Sequence, residues 1–160
     1  FGVVWGCQAA LAHMRPAGAG LLLNTASSAG FAAAPRMSAY NATKAAVISL
    51  SETAAAELAG TGIQVSVAMP GFFSTHLLET MRAPTEERAM ARRVMSASGK
   101  DATAAARAIL GRAARGDLHI VWPREYRLAW RLKRLFPAWF VRRVGRLADS
   151  RLARGGPPRG

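Results

Sequence analysis

Cysteine is almost missing from this sequence: Cys7 is the single thiol in 160 residues. One thiol excludes an internal disulfide, a Cys-based zinc site and a CxxC redox motif. Long apolar runs are missing too. No stretch approaches the roughly 20 uninterrupted apolar residues that a membrane-spanning helix needs, and no signal peptide is visible. His13, His76 and His119 stand alone without metal-ligand spacing, and no Gly-x-Ser-x-Gly surrounds Ser27 or Ser28. Metal-assisted and triad hydrolysis are therefore disfavoured. The chain begins at Phe1, inside an apolar run and not at a methionine. It is expected to be the inside of something longer.

What is present suits a single domain. With 51% hydrophobic residues spread throughout, burial is not limiting at this length, and wholesale disorder is excluded. Acidic groups are few, nine against 22 Lys/Arg, for a net charge of +13. The excess is not even. Residues 1–106 carry eight basic and six acidic groups, whereas residues 107–160 carry fourteen basic groups against Asp117, Glu125 and Asp149. An ordinary soluble body thus bears a cationic C-terminal end. Such an end suits contact with phosphate, nucleic acid or acidic lipid, and equally a solvated arginine-rich face.

Periodicity divides the chain. Phe1 to Arg15 has apolar residues at helical spacing (Val3, Val4, Ala10, Leu11, Met14), closed by Pro16, Gly18 and Gly20. Leu21 to Ser27 follows a glycine turn and reads as a buried strand. Ser28 to Pro35 reads as a small-residue loop. Ser38 is expected to cap a long helix through Leu58, ended by Gly60 and Gly62. Ile63 to Met69 is a second buried strand, stopped by Pro70-Gly71. Strand, helix and strand in this order make a βαβ unit with parallel strands. Residues 72–100 read as an irregular, partly helical lid carrying Phe72, Phe73, Leu77, Leu78 and Met81. Asp101 is expected to cap a helix over Ala102–Arg115, and Leu118–Trp122 is a third short strand before Pro123. The fold class is α/β, a partial doubly wound parallel sheet with flanking helices. Residues 1–122 form its body, and residues 123–160 form a basic, helical, amphipathic tail.

Chemistry concentrates at the start of the long helix. Tyr40 and Lys44 lie four apart, so both project from one helical face. A free phenol has a pKa of about 10, too high for easy proton exchange at neutral pH. A neighbouring ammonium favours the phenolate and makes the group a usable general acid or base. Ser27 stands at the C-terminal end of the preceding strand, where open α/β sheets bind ligands. Its hydroxyl is expected at the same spot as the phenol. Together the three suggest proton transfer to or from a substrate oxygen. Taken alone, Tyr-x-x-x-Lys also fits a surface tyrosine beside a solvated lysine.

The context narrows the choice. Gly20-Leu-Leu-Leu-Asn24-Thr-Ala-Ser27-Ser-Ala-Gly30, then Pro35, then Ser38-Ala-Tyr40-Asn-Ala-Thr-Lys44, then Met69-Pro70-Gly71-Phe-Phe-Ser-Thr75 resembles the short-chain dehydrogenase/reductase family over about residues 1–122. The resemblance implies a Rossmann-type fold and hydride transfer between NAD or NADP and a carbonyl or alcohol. Tyr40 would be the acid/base, Lys44 would tune it and hold the nicotinamide ribose, and Ser27 would hold the substrate oxygen. Tyr40, Lys44, Pro70, Gly71, Phe73 and Thr75 would contact the cofactor, and Asn24 would be structural. The apolar lid suggests a hydrophobic substrate. The family's dimer interfaces use the helix carrying Ala42–Ala59 and the one before it, so a homo-oligomer is implied. A cytoplasmic location is expected, with peripheral membrane contact through the tail as a variant of it.

Two of the family's signatures do not occur here. The Gly-x-x-x-Gly-x-Gly turn that cradles pyrophosphate at a helix N-terminus is absent. The relay asparagine would fall two residues upstream of Phe1. The sequence is therefore expected to be the C-terminal half of such an enzyme. Alone it should expose an unpaired strand edge at Leu21–Ser27, aggregate or stay loose, and bind no nicotinamide cofactor.

The tail keeps several readings. Leu128, Leu132, Leu135, Phe136 and Trp139 make one helical stripe, with Arg127, Arg131, Arg134 and Arg142 mostly opposite; Lys133 and Arg143 interrupt the pattern. Pro137 is expected to kink or break the helix. Basic, aromatic amphipathicity over 124–147 fits a membrane surface. It also fits a helix covering the substrate pocket or a subunit interface. Nucleic acid is the least favoured partner, because no reading module accompanies the charge. Cys7 reads as a packing residue, with a reactive thiol as the alternative. A non-catalytic binding or oligomerisation piece with an anion-seeking tail is the competing function.

Overall fold

Glycine turns separate the apolar runs, and each run takes the conformation that its period favours. The computed structural model describes residues 1–74, 88, 89, 92, 93, 95, 96 and 98–155. Helix α1 spans Gly2–Ala17, with Pro16 inside it, and Gly18 closes it in the left-handed conformation with its N–H on the Arg15 carbonyl. Strand β1 is Gly20–Thr25. A one-turn helix α2, Ala29–Ala32, then occupies part of the expected loop. It forms because the N–H groups of Gly30 and Ala32 find the carbonyls of Ser27 and Ser28 at 3.1 and 2.9 Å.

Helix α3 runs Ser38–Glu57. Ser38 is its first helical residue and not its cap. Met37 takes the cap position with a non-helical φ of −127°, and its carbonyl already accepts from Asn41 N–H at 2.8 Å. Strand β2 is Ile63–Pro70, helix α4 is Ala102–Ala113, and strand β3 is His119–Trp122. Asp101 caps α4 as expected, accepting from Ala104 N–H at 2.7 Å. Helices α5, Glu125–Leu135, and α6, Pro137–Gly155, meet at Phe136. Pro137 thus breaks the tail helix and opens the next one, at a position where no N–H is needed.

The sheet is parallel in the order β1-β2-β3. Leu22 pairs with Val65 and Asn24 with Val67, while Val67 pairs with His119 and Met69 with Val121. Gly62 precedes β2 with φ of +76°, and a Cβ there would strike the Gly18 carbonyl oxygen. The turns that open β1 and β2 therefore touch at glycine.

Ile63, Val65, Val67 and Met69 alternate along β2 onto one face. At its start this face packs Leu22, Cys7, Ala54 and Leu58 from β1, α1, α3 and the residue after it. At its end it packs Ala26 and Val121, covered by Phe31, Val47, Ile48, Tyr126 and Trp130. The tail is attached here. Its half-buried side is Tyr126, Ala129, Trp130, Leu132 and Lys133, whereas Leu128 and Leu135 face outward. The apolar stripe expected to organise the tail is thus split: Leu132 is half-buried, Leu128 and Leu135 are exposed, and the rings that pack on the sheet are Tyr126 and Trp130.

A buried polar chain ties three elements together. Cys7 Sγ donates to Asn24 Oδ1 at 3.5 Å, Asn24 Nδ2 donates to Ser51 Oγ at 3.0 Å, and Ser51 Oγ donates to the Val47 carbonyl at 2.7 Å. Asn24 thereby satisfies itself inside the core, consistent with a structural role, and Cys7 is buried in packing. The far edge of β1 pairs with no strand among the described residues. Its open face carries Leu21 and Thr25, both exposed.

Candidate active site

The C-terminal ends of β1 and β2 are stitched together beyond the strands themselves. Ala26 N–H donates to the Ala68 carbonyl and Ser28 N–H to the Pro70 carbonyl, each at 2.8 Å. Ser27 lies between them, half-buried. Its Oγ accepts from Ala29 N–H at 3.2 Å, so the hydroxyl that begins α2 remains at the strand end.

Helix α3 supplies the other two groups one turn apart. Lys44 Nζ donates to the Thr25 carbonyl at 3.2 Å, which fixes the ammonium against the last residue of β1. The same nitrogen lies 5.8 Å from the centre of the Tyr40 ring. Tyr40 is 40% exposed and open to a ligand. Partial burial of Lys44 pushes its pKa below the ordinary lysine value. Gly30 permits this approach. A Cβ there would lie 2.8 Å from the Lys44 carbonyl carbon and 2.9 Å from Ala45 N. The glycine lets α2 touch the backbone of α3 at the lysine.

Pro70 ends β2 opposite Trp122, and Gly71 N–H donates to the Trp122 carbonyl at 2.7 Å. Phe73 meets Trp122 edge-on, with ring centres 5.5 Å apart. Ser74 N–H bonds to the Lys100 carbonyl at 2.8 Å. Thr75 and the lid residues Leu77, Leu78 and Met81 lie outside the described residues. The structure thus ties the neighbours of Ser27, Ala26 and Ser28, to the end of β2 by backbone bonds, and links Lys44 to the end of β1.

Sequence reasoning missed two participants. Gly30 carries the close helix approach described above. Tyr126 of α5 packs its ring against Gly71, where an added Cβ would come within 2.5–2.8 Å of three ring carbons. Its signal was the i, i+3, i+4 spacing of Tyr126, Ala129 and Trp130, which competed with the leucine stripe.

A nicotinamide cofactor fits these residues in part. An exposed phenol and an adjacent ammonium suit the hydroxyls of a ribose, and the Pro70-Gly71 turn suits the ring beside it. No glycine-rich turn leads a described helix toward a pyrophosphate.

Comparison with known proteins follows the same lines. The family profile described as short chain dehydrogenase matches residues 1–86. A 2-(R)-hydroxypropyl-CoM dehydrogenase of Xanthobacter autotrophicus is 40% identical over 78 residues, covering 49% of this chain and 31% of that protein. An (S)-acetoin-forming diacetyl reductase of Staphylococcus aureus is 38% identical over 89 residues, covering 55% of this chain and 34% of that protein. A short chain dehydrogenase/reductase from Burkholderia phymatum, solved in complex with NAD, superposes with a TM-score of 0.69 at 25% identity. That match covers 82% of this chain and 54% of the solved one. The chain therefore spans roughly a third of the curated relatives it matches, and the three-stranded sheet is part of a Rossmann-type fold. With its motifs in order and more than half its length matched, this polypeptide belongs to the short-chain dehydrogenase family.

Proposed function

We propose that this polypeptide carries the proton-transfer half of an NAD- or NADP-dependent oxidoreductase acting on a carbonyl or alcohol. The observation that carries the reading is Lys44 held between the Thr25 carbonyl at 3.2 Å and the Tyr40 ring at 5.8 Å. That bond keeps a cation beside the phenol without a carboxylate to neutralise it. In the reductive direction Tyr40 gives its phenolic proton to the substrate oxygen, and Lys44 stabilises the phenolate left behind. In the oxidative direction the phenolate takes the hydroxyl proton back. Ser27 holds the substrate oxygen by donating its own hydroxyl hydrogen, while its lone pair accepts from Ala29 N–H. A nicotinamide bound beside these residues would supply the chemistry of hydride exchange at the carbon. Tyr40 and Lys44 would hold its ribose, and Pro70, Gly71, Phe73 and Thr75 would line its ring and phosphate side. The NAD-bound structural relative and the dehydrogenase and reductase relatives support this assignment.

The substrate side reads as apolar. Phe72 is exposed and Phe73 meets Trp122 edge-on near the strand ends, so a hydrophobic carbonyl compound suits the site. Association of two copies through α1 and α3 belongs to the same reading. Phe1 and Trp5 stack on the surface of α1, and α3 presents the exposed small residues Ala42, Ala45 and Ala46. A cytoplasmic location fits this chemistry. No helix among the described residues is long and apolar enough to cross a membrane.

The decisive measurement follows NADH and NADPH oxidation with a panel of ketones in the native polypeptide that carries this sequence. Tyr40→Phe should lower kcat by at least about a hundredfold, as expected for loss of a general acid. Near-normal turnover in that variant rejects the assignment.

A further inference from the structure

The outward side of the tail has a pattern that the oxidoreductase reading does not use. Leu128 and Leu135 are 64% and 70% exposed, and Phe136 and Trp139 at the α5–α6 joint are 57% and 53% exposed. Apolar side chains this open gain nothing from the fold. Arginines surround them. One shallow hollow is lined by Arg124, Arg127, Leu128 and Arg131, and a second by Trp139, Arg142, Arg143 and Arg146. Each hollow is a single apolar group ringed by three guanidinium groups.

The charge around them is one-sided. Residues 124–148 hold eight Lys/Arg and one acid, Glu125. Glu125 is engaged by Lys100 at 2.9 Å. Arg134 is used internally, over the Trp130 ring and 3.5 Å from Glu52. Arg131, Arg142, Arg143 and Arg146 make no ion pair among the described residues.

We propose that α5 and α6 form a docking surface for an anionic phospholipid membrane. Phosphate headgroups occupy the two guanidinium hollows, while Leu128, Leu135, Phe136 and Trp139 enter the boundary between headgroups and acyl chains. The helices lie on the membrane and do not cross it. A nucleic acid would satisfy the guanidinium groups and leave the leucines and Phe136 in water. A second copy meeting the same surface would oppose like charges. An acidic lipid layer satisfies both the cations and the apolar groups at once. The inference stands apart from the redox reading, because none of these residues touches Ser27, Tyr40 or Lys44.

The test is flotation of the native polypeptide that carries this sequence through a density gradient, which separates lipid-bound protein from aggregate. Vesicles of phosphatidylcholine alone are compared with vesicles containing phosphatidylglycerol. The chain should float with the anionic vesicles only and be released by salt. Replacing Arg142, Arg143 and Arg146 by alanine should weaken partitioning by about fivefold for each arginine removed. Leu135→Ser and Trp139→Ser should weaken it while leaving the charge unchanged. These side chains are exposed, so circular dichroism should show an unaltered fold. If a variant unfolds, salt titration of the parent decides: release at high salt supports docking, and salt-insensitive flotation overturns it. Equal flotation with neutral vesicles, or no flotation at all, also overturns the proposal. Binding to duplex RNA without flotation overturns it in favour of nucleic acid.

Discussion

Lys44 donates its ammonium to the carbonyl of Thr25, the last residue of β1, across 3.2 Å. A side chain from α3 is thereby fastened to the strand whose next turn carries Ser27. The bond fixes the relative position of two segments far apart in sequence, and it does so with the group that faces the Tyr40 ring. Positioning and electrostatics reside in one residue.

This arrangement has a pH consequence. Partial burial lowers the Lys44 pKa from 10.5, so the unfolded chain holds that proton more tightly than the folded one. The cost of burying the ammonium is fully present below the lowered pKa. It is relieved as pH rises through the window between that value and 10.5, so stability increases there. Lys44→Met should flatten that alkaline rise in urea denaturation curves of the native polypeptide that carries this sequence. An unchanged rise would assign it to other groups.

Gly30→Ala tests the contact between α2 and α3. The added methyl would sit 2.8 Å from the Lys44 carbonyl carbon and 2.9 Å from Ala45 N, both backbone atoms that cannot rotate away. The expected cost is about 1–3 kcal/mol of stability, read from a thermal melt of the native polypeptide that carries this sequence. In the native polypeptide the same change should lower turnover more than Ser28→Ala does, because it moves Lys44 relative to Ser27.

Legibility from sequence followed locality. The nearness of Lys44 to the Tyr40 ring was visible because four residues make one helical turn, and the place of Ser27 at the end of β1 because an apolar run ending in polar residues is a local pattern. The βαβ order gave β1, α3, β2 and their parallel pairing. The Met37 cap and α2 were not visible, since backbone carbonyls and not side chains settle them. Tyr126 was hidden for a different reason. Its partner, Gly71, belongs to another segment, and the tail offers two apolar faces of similar strength. Only packing against Val121 and Met69 selects the face with Tyr126 and Trp130.

Asn24→Leu should unfasten the interior. The substitution removes the acceptor of the Cys7 thiol and the donor to Ser51 Oγ in a fully packed site. Ser51 keeps its bond to the Val47 carbonyl, so the loss falls on one buried hydroxyl lone pair and one thiol. Overpacking adds to it. Chemical denaturation should report about 1–3 kcal/mol of destabilisation, with Asn24→Ser partly restoring it.

The outer edge of β3 is guarded by cations. Arg112 bonds to the carbonyls of His119 at 3.1 Å and Val121 at 3.3 Å, and Arg127 approaches the Val121 carbonyl at 3.5 Å. Edge carbonyls left open invite another strand, so these guanidinium groups protect the sheet from pairing between copies. The hydrogen bond from Arg112, at 2.6 Å, also holds the Asp117 carboxyl below its usual 3.8. That contribution is present above the unfolded value and is lost as pH falls through the lowered folded one. Solvent screening keeps the ion pair itself to at most about 1 kcal/mol, and the carbonyl bonds supply the rest. Arg112→Met should therefore destabilise the chain by about 1–3 kcal/mol at neutral pH, with a smaller gap to the parent in strong acid. Light scattering should rise in the variant at neutral pH, where its β3 edge lacks a guard while the fold persists. A gap that does not narrow in acid would show that Asp117 takes no part.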